Sequence, residues 1–187
     1  MKEIEIKSHL KNKQAVISKL EKLGCVLSSP IRQIDTVYTK IIGRVDEFLK
    51  NNHFVRIREK SDGSNVLTVK INKSRTKTAD ELVKIEHEPE IEDAKEMESI
   101  LFMMGYSISN KVVKIRQTAK YKEYEICLDD VEELGSFIEI EKMAQNDFAD
   151  EHIILDELNS FMASLEISKT DTINKGYDVM MVEKLFS

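Results

Sequence analysis

Tryptophan is absent from the 187 residues, and there are only two cysteines, two prolines and six glycines. Cys25 and Cys127 lie far apart with no CxxC spacing, which excludes a disulfide framework and a cysteine-type zinc site. Scarce glycine and proline exclude collagen-like or linker-rich architecture. The opening MKEIEIKSHLKNK has no apolar stretch of the signal-peptide kind, and no later apolar run could span a bilayer. No low-complexity tract interrupts the apolar residues, so disorder is not expected. Walker A and GxGxxG glycine motifs are missing, so phosphate capture by a backbone nest is not indicated. His9, His53, His87 and His152 show no metal-ligand spacing such as HExxH. The expectation is a cytoplasmic protein of one domain, residues 1–187, long enough for a single core.

Charge, by contrast, is plentiful. Charged residues make up 33% of the chain against 41% hydrophobic, with 28 Lys+Arg, 34 Asp+Glu and a net charge of −6. That balance speaks against a nucleic-acid binder, whose surface should be net basic. Charges of both signs in such number are either a well-solvated surface or two opposed sets facing one site.

The dominant short-range pattern has period two. Lys2–Lys7 sets Glu3, Glu5 and Lys7 opposite Ile4 and Ile6. Phe54–Lys60 sets Arg56 and Arg58 opposite Val55 and Ile57, and Asn65–Asn72 sets Thr68 and Lys70 opposite Leu67, Val69 and Ile71. Ser61-Asp62-Gly63-Ser64 reads as the turn of a hairpin between them. Leu82–Glu88 carries Lys84, Glu86 and Glu88 against Val83 and Ile85, and Val112–Thr118 carries Lys114 and Arg116 against Val113 and Ile115. Phe137–Lys142 places Glu139 and Glu141 against Ile138 and Ile140, while Ile34–Tyr38 and Glu123–Leu128 are further strands. Helices are expected at Lys13–Leu23, Asp93–Met104, Phe148–Leu165 and Ile173–Phe186. Gly24 and Gly105 would end the first two, and Asp93 with Glu96 has capping-box spacing. Strands in succession favour an antiparallel α+β fold over a parallel one.

Taken alone, each charged face could sit in water. Together they are almost entirely Glu, Arg and Lys, where a solvated face usually admits Thr, Ser and Gln. The helices must also bury their apolar stripes on the apolar strand faces. If helices cover the outside and the sheet closes, the charged faces line an interior. Charges there need water, metal and a polyanionic ligand, because burying an unpaired ion costs several kcal/mol. Glu3, Glu5, Glu139 and Glu141 suit Mg²⁺ or Mn²⁺. Lys7, Arg56, Arg58, Lys70, Lys114 and Arg116 suit phosphate oxygens. The combination describes a nucleotide- or polyphosphate-handling site.

These residues also carry a family resemblance. EIEIK at Glu3–Lys7 has the form ExExK, and FVRIRE, LTVK, KIEHE, KIR and DDVEELGSFIEIE follow in order, with KGY at Lys175–Tyr177. The chain resembles the CYTH superfamily, the triphosphate tunnel metalloenzymes. The resemblance implies a closed, antiparallel eight-stranded tunnel barrel with a charged interior and helices packed outside. It implies that Glu3, Glu5, Glu86, Glu88, Asp129, Glu139 and Glu141 surround a divalent metal. It implies that Lys7, Arg56, Arg58, Lys70, Lys114, Arg116 and Lys175 hold a triphosphate. Glu3, Glu5, Lys7, Arg58, Lys114 and Arg116 would be the catalytic set. Lys84 departs from the family, where many members carry Arg before the paired glutamates.

QIDTVY at Gln33–Tyr38 and the LDDVEELGSFIEIE stretch look most like class IV adenylate cyclases, which convert ATP to cyclic AMP and pyrophosphate. A triphosphatase acting on tripolyphosphate, thiamine triphosphate or nucleoside triphosphates would share the same residues. A non-catalytic polyphosphate-binding module could dispense with a metal glutamate, yet every acidic position is present. Tyr38, Phe54 and Phe137 are either core or an adenosine pocket, and Lys70–Lys77 is either a loop with basic ends or a flap. The resemblance to cyclases allows a homodimer, which no feature of the sequence demands; nucleic acid and membrane are not expected as partners.

Overall fold

The computed structural model describes residues 2–40, 53–72, 84–144 and 151–185. The elements begin with β1 (Lys2–His9), α1 (Lys13–Lys22), β2 (Ile31–Thr39), β3 (His53–Lys60), β4 (Asn65–Asn72), β5 (Lys84–His87) and β6 (Glu90–Ile91). There follow α2 (Ala94–Met103), β7 (Ser107–Tyr121), β8 (Tyr124–Val131), β9 (Gly135–Ala144), α3 (Glu151–Ser164), β10 (Thr172–Ile173) and α4 (Tyr177–Leu185). This is the expected α+β fold with antiparallel strand pairs. The chain divides into two units.

The first unit is Met1–Pro30, Ser74–Lys84 and Ile115–Asn174. Its frame is β1 antiparallel to β9, and β9 antiparallel to β8. Ile4 and Ile6 of β1, Ile126 and Leu128 of β8, and Ile138 and Ile140 of β9 form one buried apolar face. Val16 and Leu20 of α1 and Ile154, Leu158, Phe161 and Met162 of α3 cover it. Each such Leu, Ile or Phe contributes about 1.5–3 kcal/mol over leaving it in water. The helices therefore do bury their stripes on the apolar strand faces, and the glutamate-bearing faces turn the other way. Asn12 caps α1 by accepting from the Ala15 amide at 3.0 Å. Past its end, Gly24 turns the chain at φ +83°, where a Cβ would be strained.

The second unit is Ile31–Lys73, Ile85–Lys114 and Lys175–Ser187. Here β2, β3 and β4 pair antiparallel in order, and the expected hairpin is present. Asp62 forms its turn by accepting from the Ser64 amide at 2.9 Å and the Ser64 hydroxyl at 2.7 Å. Tyr38, Val55 and Ile57 make an apolar face, packed with Leu101 and Met97 of α2. Asp93 caps α2 through the amides of Lys95 and Glu96, as its spacing predicts.

The structure departs from the sequence reading in three places. Ile173 pairs with Lys7 in a two-residue strand instead of opening the last helix, which starts at Tyr177 after Gly176. In β7 the charged side is the covered one, as expected, but the opposite side is not buried: Val112 and Lys114 are each 2% exposed, whereas Ile115 is 43% exposed. Strand β7 is also far longer than Val112–Thr118. Residues 73–77, 82 and 83, the first three residues of the third expected helix and Phe186 lie outside the described residues, as do the side chains of Lys84, Ile85 and Glu86.

Candidate functional site

In the first unit the strand register stacks charge in rows. Glu5 of β1 and Glu125 of β8 both lie opposite Glu141 of β9. One row on, Lys7 and Cys127 both lie opposite Glu139. Carboxylates directly opposite one another repel, so the first row concentrates negative charge that a cation could offset. Glu3, Glu5 and Glu141 each offer an oxygen within 4.8 Å of the others. Burial first, then the charges of Glu3 and Glu139, lift the Glu141 carboxyl from 4.5 to about 8, against the opposing pull of Arg116. Hard oxygen donors in surplus negative charge fit Mg²⁺ or Mn²⁺. Cys127, on the same face, joins Glu125 and Glu141 in a second group of donor atoms within 4.8 Å. Burial pushes its thiol up, so it contributes no ready charge.

The neighbouring carboxylates are already matched with cations. Lys7 reaches Glu139 at 2.9 Å, both nearly buried. Arg116 forks onto Asp129, Nε to Oδ1 at 2.7 Å and Nη2 to Oδ2 at 2.5 Å, and also bonds Glu139. Burial opposes the Arg116 charge, and Glu139 and Asp129 outweigh it, holding the guanidinium protonated. The expected metal set is thus split by the fold. Glu3, Glu5 and Glu141 could hold a cation between them, while Asp129 and Glu139 pair with Arg116, and Glu139 also with Lys7.

The second unit holds a different cluster. Arg58 lies across from Asp35 in the register and grips it in a fork, Nε to Oδ1 at 2.7 Å and Nη2 to Oδ2 at 2.9 Å. Arg56 bonds Thr68 and Glu88, each at 2.8 Å, and reaches Asp35 at 3.4 Å. Burial would raise the Asp35 carboxyl, but Arg56, Arg58 and Lys114 together hold it well below the usual carboxylate range. Lys114 is buried with its ammonium 5.1 Å from the centre of the Tyr177 ring. Lys70 faces the same way, half-buried, paired in register with Phe54. Lys175 is exposed and bonds Glu183 at 2.5 Å.

Asp35, Thr68, Glu125, Cys127 and Tyr177 are the residues the sequence reading did not single out for chemistry. Asp35 had a signal: Asp is depleted in strands, so one inside QIDTVY asks for a partner. Of the aromatics, Tyr38 and Phe137 are core, 3% and 0% exposed, Phe137 packing on His9 at 4.5 Å between centroids. Phe54 is half-buried beside Arg56. No helix among the described residues is long and apolar enough to cross a membrane.

With both charged faces placed, comparison with known proteins gives the class: a CYTH domain model matches residues 1–177, and the chain belongs to the CYTH family. A Methanocaldococcus jannaschii protein, provisionally named an adenylate cyclase, is 34% identical over 95% of this chain and 97% of its own. A Vibrio parahaemolyticus structure with the same provisional name superposes at TM-score 0.79, 19% identical, covering 97% of this chain and 98% of that one. A Hippeastrum structure, named for an adenylyl cyclase candidate with a dominant triphosphatase activity, superposes at TM-score 0.59. It is 16% identical and covers 94% and 91% of the two chains.

The raised Glu141 carboxyl makes a pH prediction. A group protonated more readily in the folded state stabilises fully below about 4.5 and loses that contribution as pH rises through about 8. Without metal, stability should fall across that window. Mg²⁺ must displace a proton at pH 6 and meets far more carboxylate at pH 8. Melting curves should therefore show a larger Mg²⁺-induced rise in Tm at pH 8 than at pH 6; equal rises would remove Glu141 from the metal group.

Proposed function

We propose that this protein is a divalent-metal-dependent enzyme acting on a triphosphate-containing substrate, with residues 1–187 forming one domain and its strands closing into an eight-stranded tunnel barrel. The observation that carries the reading is the Glu3, Glu5 and Glu141 group, whose carboxylate oxygens lie within 4.8 Å of one another, close enough to share one divalent cation. Mg²⁺ or Mn²⁺ bound there would neutralise phosphate charge and lower the pKa of an attacking hydroxyl. Glu88, Asp129 and Glu139, with Glu86, complete the acidic set. Lys7, Arg56, Arg58, Lys70, Lys114, Arg116 and Lys175 supply the phosphate-binding cations. The arginine forks are oriented in advance by carboxylates, so little ordering is left when a phosphate arrives.

The finer reading is a class IV-type adenylate cyclase in the cytoplasm, supported by the QIDTVY and LDDVEELGSFIEIE stretches and by the name of the Methanocaldococcus relative. The 3′-oxygen of ATP attacks the α-phosphorus, and pyrophosphate leaves as Lys7, Arg58, Lys114 and Arg116 stabilise the charge growing on it. The second reading is a triphosphatase, in which water attacks the terminal phosphorus; the activity named for the Hippeastrum protein favours it.

Product analysis separates them. Purified protein with Mg²⁺ or Mn²⁺ is given ATP, thiamine triphosphate or tripolyphosphate in parallel. Cyclic AMP plus pyrophosphate is the expected result; orthophosphate released fastest from tripolyphosphate or thiamine triphosphate makes it a hydrolase. Arg58→Ala should lower kcat/KM by at least tenfold for every substrate turned over. Wild-type behaviour at low substrate would take Arg58 out of the site.

A further inference from the structure

Among the described residues, three buried side-chain oxygens meet no hydrogen-bond partner: Ser8 Oγ, Gln33 Oε1 and Asn110 Oδ1. Ser8 shares the apolar face of β1 with Ile4 and Ile6, and the Asn110 amide donates to the Asp178 carbonyl at 2.9 Å. Gln33 is different. It precedes Asp35 by two residues on β2, so both project from one face. Its neighbour across the ladder is Lys60, one row on from the Asp35–Arg58 pair. Gln33 is only 6% exposed, so the lone oxygen lies out of water, on the strand face that carries the Asp35–Arg58 pair one row away.

A buried acceptor left without a donor lowers stability, and such groups in a folded protein ask for an explanation. A phosphate cannot supply one. Its ionised oxygens are themselves acceptors and would be repelled by Oε1. The missing partner must be an N–H or O–H. Rows on a strand face are about 7 Å apart, so a ligand whose phosphates lie on Arg58 brings its next chemical group to Gln33.

We propose that Gln33 is a specificity-determining residue: its Oε1 accepts a hydrogen bond from an N–H or O–H on the organic half of a nucleoside triphosphate, favouring that substrate over inorganic tripolyphosphate. The inference rests on the reading of Arg56 and Arg58 as phosphate ligands. It adds to that reading the class of molecule attached to the phosphates.

The test compares wild type with Gln33→Met, a change of similar volume that removes the acceptor. Steady-state kcat/KM is measured with ATP, 2′-deoxy-ATP, purine riboside triphosphate and tripolyphosphate. The ratio of ATP to tripolyphosphate should fall at least tenfold in the variant. The analogue on which the substitution no longer costs anything identifies the donor, the 6-amino group or the ribose 2′-hydroxyl. Without substrate, the variant should melt at the same temperature as wild type or higher, because an unpaired acceptor has gone. Equal loss on ATP and tripolyphosphate, no loss on ATP, or a lower melting temperature overturns the proposal. Wild type that turns over tripolyphosphate alone overturns it and leaves the phosphate reading standing; wild type inert to every triphosphate removes both.

Discussion

Glu5→Gln is expected to abolish turnover, by a hundredfold or more, while the protein keeps its fold and much of its affinity for triphosphate. Glu5 faces Glu141 across the ladder, and with Glu3 they form a group of three carboxylates whose oxygens lie within 4.8 Å of one another. Glutamine preserves shape and one carbonyl oxygen but removes a unit of negative charge. The cation is then held more weakly, and the charge that builds on the phosphate during reaction loses its counterweight. Removing one such electrostatic element typically costs 10²–10³ in kcat. Loss of turnover with an unchanged fold and a diminished Mg²⁺-induced rise in Tm would separate a metal role from general damage. Unchanged turnover would sink the metal assignment.

Much of this arrangement is legible in the sequence, because strand alternation exposes faces directly. Glu3, Glu5 and Lys7 against Ile4 and Ile6, or Arg56 and Arg58 against Val55 and Ile57, leave one assignment of in and out. What alternation cannot supply is register. That Glu141 repels Glu5 while Glu139 is matched with Lys7 and Arg116 depends on which residues meet across β1, β9 and β8. The split of the acidic residues into a cation group and a salt-bridged pair is invisible before that pairing. Asp35 is a similar case: its role exists only because the ladder sets it opposite Arg58. In β7 both faces near Val112 and Val113 are apolar, so period two cannot choose between them. The covered side carries Lys114, beside the Tyr177 ring from a helix some sixty residues on.

Arg116→Met should be the most destabilising single change among the ion pairs described, about 3–5 kcal/mol, or a Tm lower by roughly 6–20 °C. The reason lies in what remains after the arginine is gone. Asp129 has a side chain 0% exposed, and its two oxygens are both held by the guanidinium fork. Glu139 would keep Lys7, but Asp129 would be left as a buried charge without that fork. Neutralising it should restore much of the loss, so Arg116→Met with Asp129→Asn should melt well above Arg116→Met alone. Arg116→Lys should not rescue fully, since an ammonium cannot reproduce two parallel bonds. The pair Lys175–Glu183 supplies the contrast at a similar distance, 2.5 Å, with side chains 53% and 41% exposed. Water already solvates those charges, and Lys175→Ala should cost no more than about 1 kcal/mol. If the two substitutions shifted Tm equally, desolvation would not be what makes the Arg116 fork matter, and the buried pairing of Asp129 would have to be abandoned.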